Sequence, residues 1–225
     1  MNYNSQSCRE RGKGLKINWL GHSCFKIISN GFSILIDPYT NGYVPGYDDL
    51  HEEANYVFTS HGHADHSAAD IISIVNKSDN PFTIETINTF HDEVYGAKRG
   101  INKIGIFDDG TYKIAHCGDL GCMLEESQES MLMDLDVLMV PVGGFYTIEP
   151  EEAVELIKRL NPKYVIPMHF RSEELGFGYD VIKDIKAFTT LAEDVSFEET
   201  FEFDPEQPHH KITVLRPKYL TQSET

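Results

Sequence analysis

The run His61-Gly62-His63-Ala64-Asp65-His66 places three imidazoles and a carboxylate within six residues. No packing requirement gathers such side chains, whereas imidazole nitrogens and carboxylate oxygens are the donors that divalent ions take up. Donors at this density can serve two ions side by side. Paired ions of that kind activate water and polarise a carbonyl or phosphoryl oxygen, which is hydrolytic chemistry. The competing reading is a polar surface turn with chance histidines, the ordinary way in which a motif match fails.

The elements around the run can aim it. The apolar stretch Tyr56–Thr59 predicts a buried strand before it, and Ala68–Val75 predicts a short helix after it. Further donors stand at the ends of other predicted strands. His91 follows Phe82–Phe90, His116 and Asp119 follow Tyr112–Ala115, and His169 follows Tyr164–Pro167. Singly, each of these histidines reads as a satisfied core or surface residue. Together with the first run they form one converging set of ligand types.

The remaining pattern supplies the scaffold. Strands are predicted at Leu15–Leu20, Cys24–Ile28 and Phe32–Ile36, with Asn30-Gly31 as a hairpin turn between the last two. Ile104–Phe107 pairs with Tyr112–Ala115 across Asp109-Gly110. An α/β rhythm follows: strand Val137–Val140, helix Glu151–Leu160, strand Tyr164–Pro167, helix Asp180–Leu191, and strands Phe197–Phe203 and Ile212–Leu215. Residues 1–14 read as a polar leader, 15–216 as one domain and 217–225 as a tail. Two β-rich blocks, each ending in helices, predict two sheets packed face to face with helices outside.

In this order the residues resemble the metallo-β-lactamase superfamily, closest to its small branch that includes ascorbate-6-phosphate lactonase. The likeness rests on the His-x-His-x-Asp-His run, then His91, Gly118-Asp119 and His169, over residues 15–216. Leu20-Gly21-His22-Ser23, Ile34-Leu35-Ile36-Asp37-Pro38, Pro141–Thr147 and Ile166-Pro167-Met168-His169 extend it. The resemblance implies an αββα sandwich of two mixed sheets, with two divalent ions at one edge. It gives one ion to His61, His63 and His91 and the other to Asp65, His66 and His169, with Asp119 bridging. The nucleophile would be a hydroxide bridging the ions, with Asp65 helping to orient it. Zinc suits this donor set, and manganese, iron or nickel also fit it.

Other roles follow from the same likeness. Asp37 would hold ligand histidines by hydrogen bonds, although an Asp before Pro at a strand end is also an ordinary turn. His22 and His116 stand open between supporting a ligand, donating a proton and a plain structural role. Gly118-Asp119-Leu120-Gly121 departs from the family's Gly-Asp-Thr-Gly and lacks the threonine hydroxyl near the bridging Asp. The loops Thr40–Asp49, Asp92–Gly100, Gly143–Thr147 and Arg171–Tyr179 are expected to form the pocket. Tyr146 is a candidate substrate contact. Lys98, Arg99 and Arg171 are candidates for an anionic group because they lie near His91 and His169 in sequence, though each singly reads as a solvated surface charge.

Composition narrows the function. A formal net charge of −17 repels polyanions, and no basic stripe with interleaved aromatics is present, so nucleic acid is not the expected partner. Cys8, Cys24, Cys117 and Cys122 contain no Cys-x-x-Cys pair and read as free thiols in a reducing cytoplasm. No apolar run is long enough for a membrane span, and no signal peptide is evident. The leading expectation is a hydrolase of a small-molecule lactone, ester, amide or phosphodiester. A nuclease of the same superfamily is the second reading, and failure to cut RNA at low salt would close it. A di-iron redox protein is the third, but such a relative would carry an acidic residue near position 63 and a flavin domain.

Overall fold

Asn30 and Gly31 both adopt positive φ, 51° and 82°, which two-residue turns of the type I′ kind require. They join β2 to β3 in a sheet whose members are β1 (Lys16–Gly21), β2 (Cys24–Ser29) and β3 (Phe32–Ile36). These elements belong to a computed structural model that describes residues 14–76, 79–204, 206–207 and 210–221. The leader expected over 1–14 therefore lies, except for Gly14, outside the described residues, as do 222–225. After the two-residue β4 (Glu53–Ala54), strand β5 (Tyr56–Phe58) adds to β3 in parallel. The order of this four-stranded sheet is β1-β2-β3-β5. β4 instead pairs with β6 (Ser73–Ile74).

The second sheet is larger and mixed. β7 (Thr83–Phe90), β8 (Ile101–Asp108) and β9 (Lys113–His116) form an antiparallel meander. Helix α1 (Glu126–Met131) leads to β10 (Val137–Pro141), and α2 (Pro150–Leu160) crosses to β11 (Tyr164–Met168). Helix α3 (Lys186–Thr189) then precedes β12 (Val195–Glu198) and β13 (Lys211–Leu215). The order is β12-β13-β11-β10-β9-β8-β7. β10 and β11 are buried along their whole length, as parallel strands covered on both faces must be. α2 begins with a reciprocal capping box between Glu149 and Glu152, has Pro150 in its first turn and ends on left-handed Asn161. It buries Ala153, Leu156, Ile157 and Leu160.

The sheets meet through aromatic pairs. Phe58 packs edge-on against Phe107 at 5.3 Å between centroids, and Phe32 meets Phe82 at 6.3 Å. Removing such a side chain from water contributes roughly 1.5–3 kcal/mol. The result is an α/β sandwich with few helices.

Two expected helices are corrected. Over 68–75 only Ala69–Ile71 forms a single 3-10 turn, and Ser73–Ile74 extends beside β4. Ile71, Ile72, Ile74 and Val75 are β-branched and favour the extended form. Over 180–191 the helix is confined to Lys186–Thr189. Upstream, the backbone is taken by tertiary partners: Lys183 N donates to the Gly143 carbonyl, and the Ile182 carbonyl accepts from Arg171 Nε. α1 is a helix where only a charged face is expected at Glu125-Glu126; its signal is the Glu125/Gln128 capping box. The last strands also shift, β12 covering Val195–Glu198 rather than Phe197–Phe203. Residues expected as a tail run along β1, Lys218 N donating to the Trp19 carbonyl and Tyr219 N to that of Leu20.

Candidate metal centre

Strand ends on one rim of the sandwich deliver the site. The β1–β2 turn carries His22, Asp37 follows β3, and β5 leads into Ser60 and the His61–His66 run. His91 follows β7, β9 leads into Asp119, and His169 follows β11. His22, Asp37 and His169 all take left-handed backbone conformations, with φ of 52°, 48° and 50°. Such conformations are uncommon outside glycine, and they cluster where structure over-determines a functional geometry. Gly118 also has positive φ, and a Cβ there would lie 2.3 Å from Asn102 Oδ1. That space is used by Asn102, whose Oδ1 accepts from Asp119 N at 3.0 Å.

Asp119 is the hub. Its Oδ1 lies 3.2 Å from His66 Nε2, and its Oδ2 lies 3.2 Å from His91 Nε2 and 3.3 Å from His169 Nε2. His61 Nε2 is 3.9 Å from the same carboxylate, and 3.1 Å from His63 Nδ1. Donor atoms fall into groups that lie within 4.8 Å: His61, His63 and His91; His61, His66 and Asp119; and His22, Asp65, His66 and His169. The structure thus brings together all seven side chains expected as ligands, and it adds His22 to one group.

Hydrogen bonds on the far side of the rings fix their tautomers. Ser60 Oγ gives its proton to Asp37 at 2.6 Å, so at 2.9 Å it accepts from His61 Nδ1–H. His66 Nδ1–H donates to Asp37 at 2.9 Å, and His91 Nδ1–H to the Tyr146 carbonyl at 3.1 Å. Each of these rings therefore turns its Nε2 toward Asp119, the arrangement that orients metal-binding histidines. His116 is different. Its Nε2–H donates to the Ser23 carbonyl and its Nδ1 accepts from Gly118 N, so it clamps the Asp119 loop.

The electrostatics call for a cation. Burial opposes ionisation of Asp119, but His169 and His66 outweigh it and hold the carboxyl well below the usual range. Burial likewise disfavours charge on Asp37 and Asp65, yet His66 on the one and His22 on the other keep both low. His66, buried between Asp119 and Asp37, is pulled up despite its burial. Burial, reinforced by His66, lowers His61 to about 4, so its ring is neutral and free to donate a lone pair. Buried carboxylates cost free energy unless compensated. Within the centre, His22 Nδ1 and His169 Nδ1 are buried without a hydrogen-bond partner among the described residues, and the buried pair His66 Nε2 and Asp119 Oδ1 has only the 3.2 Å contact with each other. Imidazole nitrogens and anionic oxygens gathered in one buried cluster fit divalent ions.

A cavity of about 370 Å³ opens onto the centre, bordered by His63, Asp65, His91, Asp119 and His169. Each of the four expected loops contributes one side chain to it: Tyr43, Arg99, Tyr146 and Tyr179. Tyr179 OH donates to Asp65 Oδ2 at 3.4 Å, and the Arg99 guanidinium sits 5.4 Å over the Tyr146 ring. Lys98 and Arg171, also named as candidate substrate contacts, are placed differently. Lys98 pairs with Glu93 in solvent, and Arg171 is held by the Ile182 carbonyl and Glu173. Neither borders the cavity. Buried Asp92 explains the choice of Arg99: its carboxylate accepts from the main-chain N–H groups of Val94, Gly96, Lys98 and Arg99. The loop curls around it, turning Lys98 outward and Arg99 inward. Ser60, Asn102 and Asp92 are not distinguished by sequence motif, since each acts through contacts that only the fold creates.

Residues 16–169 match the β-lactamase superfamily domain model. The chain belongs to this superfamily. Among its relatives is a UPF0173 metal-dependent hydrolase from Thermoplasma volcanium, 30% identical over 213 residues, which span 79% of this chain and 91% of the relative. Another, from Desulforamulus reducens, is 28% identical over 194 residues, covering 70% and 85% of the two chains. A crystal structure from Thermotoga maritima, named as a proposed Zn-dependent hydrolase of the metallo-β-lactamase superfamily, superposes with a TM-score of 0.70 at 28% identity. It covers 90% of this chain and 98% of the other. The chain is accordingly a metal-dependent hydrolase of the metallo-β-lactamase fold. No helix among its described residues is long and apolar enough to cross a membrane.

Proposed function

We propose that the chain hydrolyses a small, anionic molecule at a centre of two divalent ions, with a lactone, ester, amide or phosphodiester as the bond cleaved. The observation that carries this reading is the convergence of Asp119 with His66, His91 and His169 within 3.3 Å, at the floor of a cavity that Asp119, His91 and His169 border. His61, His63 and His91 would hold one ion, Asp65, His66 and His169 the other, with Asp119 between them. Bound there, the ions supply Lewis acidity and bring the pKa of water down toward about 7. Zinc fits the imidazole-rich donors, and the name of the Thermotoga relative points the same way.

The chain's own residues do the remaining work. Asp65, kept ionised and facing the cavity, accepts a hydrogen bond from the attacking water and orients it. Arg99 receives the anionic part of the substrate, since it is the one cationic side chain bordering the cavity among the described residues. Tyr43, Tyr146 and Tyr179 give the mouth apolar walls with polar tips. The cavity is of small-molecule size, and the net charge of −17 opposes a nucleic acid substrate. Buried free thiols at Cys24 and Cys117 suit a cytoplasmic location.

The test is a panel of lactone, ester, amide and phosphodiester substrates offered to the zinc- or manganese-loaded protein. Hydrolysis of one class, abolished by a chelator and by Asp119→Ala, is expected. Hydrolysis that survives the chelator, or none across the panel, would overturn the proposal.

A further inference from the structure

His22 and His116 look alike in sequence, and the structure separates them. Both rings are fully buried. Both nitrogens of His116 are hydrogen-bonded within the protein. His22 Nδ1 has no hydrogen-bond partner among the described residues, and Nε2 has only a long 3.5 Å contact with Asp65 Oδ2 that falls short of hydrogen-bond geometry. A buried polar group left in that state calls for a specific explanation.

The backbone of His22 is fixed with unusual care. It sits in the β1–β2 turn at φ 52°, and its carbonyl accepts from Trp19 Nε1 at 2.9 Å and from His169 N at 3.4 Å. Gly21 precedes it, where a Cβ would lie 2.6 Å from the Tyr47 ring. The turn is therefore locked on both sides. It aims the ring into the group formed by Asp65, His66 and His169. His22 Nε2 lies 3.5 Å from Asp65 Oδ2, and its ring centroid is 4.3 Å from that of His169 and 5.4 Å from that of His66.

We infer that His22 is an additional protein donor to the second ion, alongside Asp65, His66, His169 and Asp119. This rests on the two-ion reading above. It makes the two positions unequal: the first has His61, His63 and His91 with Asp119, and the second has one protein donor more. The second position then suits a divalent ion that accepts five or six ligands, of the manganese, iron, cobalt or nickel class, better than one that prefers four.

Cobalt(II) tests this without reference to turnover. The protein is loaded with cobalt, its metal content per chain is measured, and strongly shifted, exchangeable imidazole N–H signals are followed by proton NMR. Wild type is expected to show a shifted signal from His22 in addition to those of the other ligand rings, and His22→Ala to lose that signal alone. His22→Ala should also raise the visible absorbance of cobalt, as the second ion falls to a lower coordination number, and release that ion at least about ten-fold more readily. His22→Gln repeats the comparison with a side chain of similar size, and the wild-type signals need no variant. His116 supplies no shifted signal. Two ions per chain without a His22 signal would overturn the inference and leave the two-ion reading standing. One ion per chain would overturn the two-ion reading, and the His22 signal would still decide whether His22 binds the ion that remains.

Discussion

Asp37 and His66, 29 residues apart in sequence, meet through a 2.9 Å hydrogen bond from His66 Nδ1 to Asp37 Oδ2, and both side chains are fully buried. The same carboxylate accepts from Ser60 N and Ser60 Oγ, each at 2.6 Å. It therefore sets the orientation of two donor rings, His66 directly and His61 through the serine. Asp37→Ala should weaken metal binding roughly 10–100-fold, the usual effect of removing a ligand's supporting partner. Competition against a chromophoric chelator measures this. Unchanged affinity would remove Asp37 from the centre.

Gly143 is pressed against His169. A Cβ at position 143 would lie 2.1 Å from the His169 carbonyl oxygen. Gly143→Ala must displace the end of β11, so it should cost about 1–3 kcal/mol. At roughly 2–4 °C per kcal/mol for a chain of this size, the melting temperature should fall by several degrees. A melt indistinguishable from wild type would contradict the packing described.

Arg99 and Lys98 are adjacent in sequence and face opposite ways. Arg99→Ala should raise KM for an anionic substrate about 10–100-fold, the worth of a hydrogen bond to a charged group. Lys98→Ala, which removes only an exposed ion pair, should leave KM unchanged. Equal effects of the two substitutions would place the anion elsewhere.

Glu52 links the first sheet to the chain's end. It pairs with Lys26 at 2.8 Å and with Lys218, and accepts from Tyr219 OH at 3.1 Å. Burial raises its pKa, but Lys218 and Lys26 outweigh burial and leave it below the usual glutamate range. A folded pKa below the unfolded value adds stability above about pH 4.3 that is lost as pH falls through the lower folded value. Urea midpoints followed from about pH 6 to 3 should drop less steeply for Glu52→Gln than for wild type. Parallel curves would show that the pair contributes nothing.

These residues also show how far sequence alone reaches. His61, His63, Asp65 and His66 declare themselves by spacing, and His91, Asp119 and His169 by their places after apolar strands. The hairpin at Asn30-Gly31 and helix α2, with Pro150 at its start, follow from local chemistry. Ala68–Val75 misleads because pairing with β4 rewards its β-branched residues more than helical periodicity does. Asp180–Ile185 misleads because Arg171 and Gly143, distant in sequence, take up its backbone groups. Arg99 differs from Lys98 only through the curl around Asp92, and His22 from His116 only through which ring finds partners. Such distinctions are set by tertiary contacts, which no local pattern encodes.

The central claim is that this rim of strand ends holds two ions with Asp119 between them. Titration of the metal-free protein with zinc, followed by calorimetry and elemental analysis, tests it most directly. Wild type should take up two ions per chain and His63→Ala should hold one tightly, with hydrolysis lost in the variant. Fewer than two ions per wild-type chain after full repletion, or equal uptake and activity in His63→Ala, would contradict it.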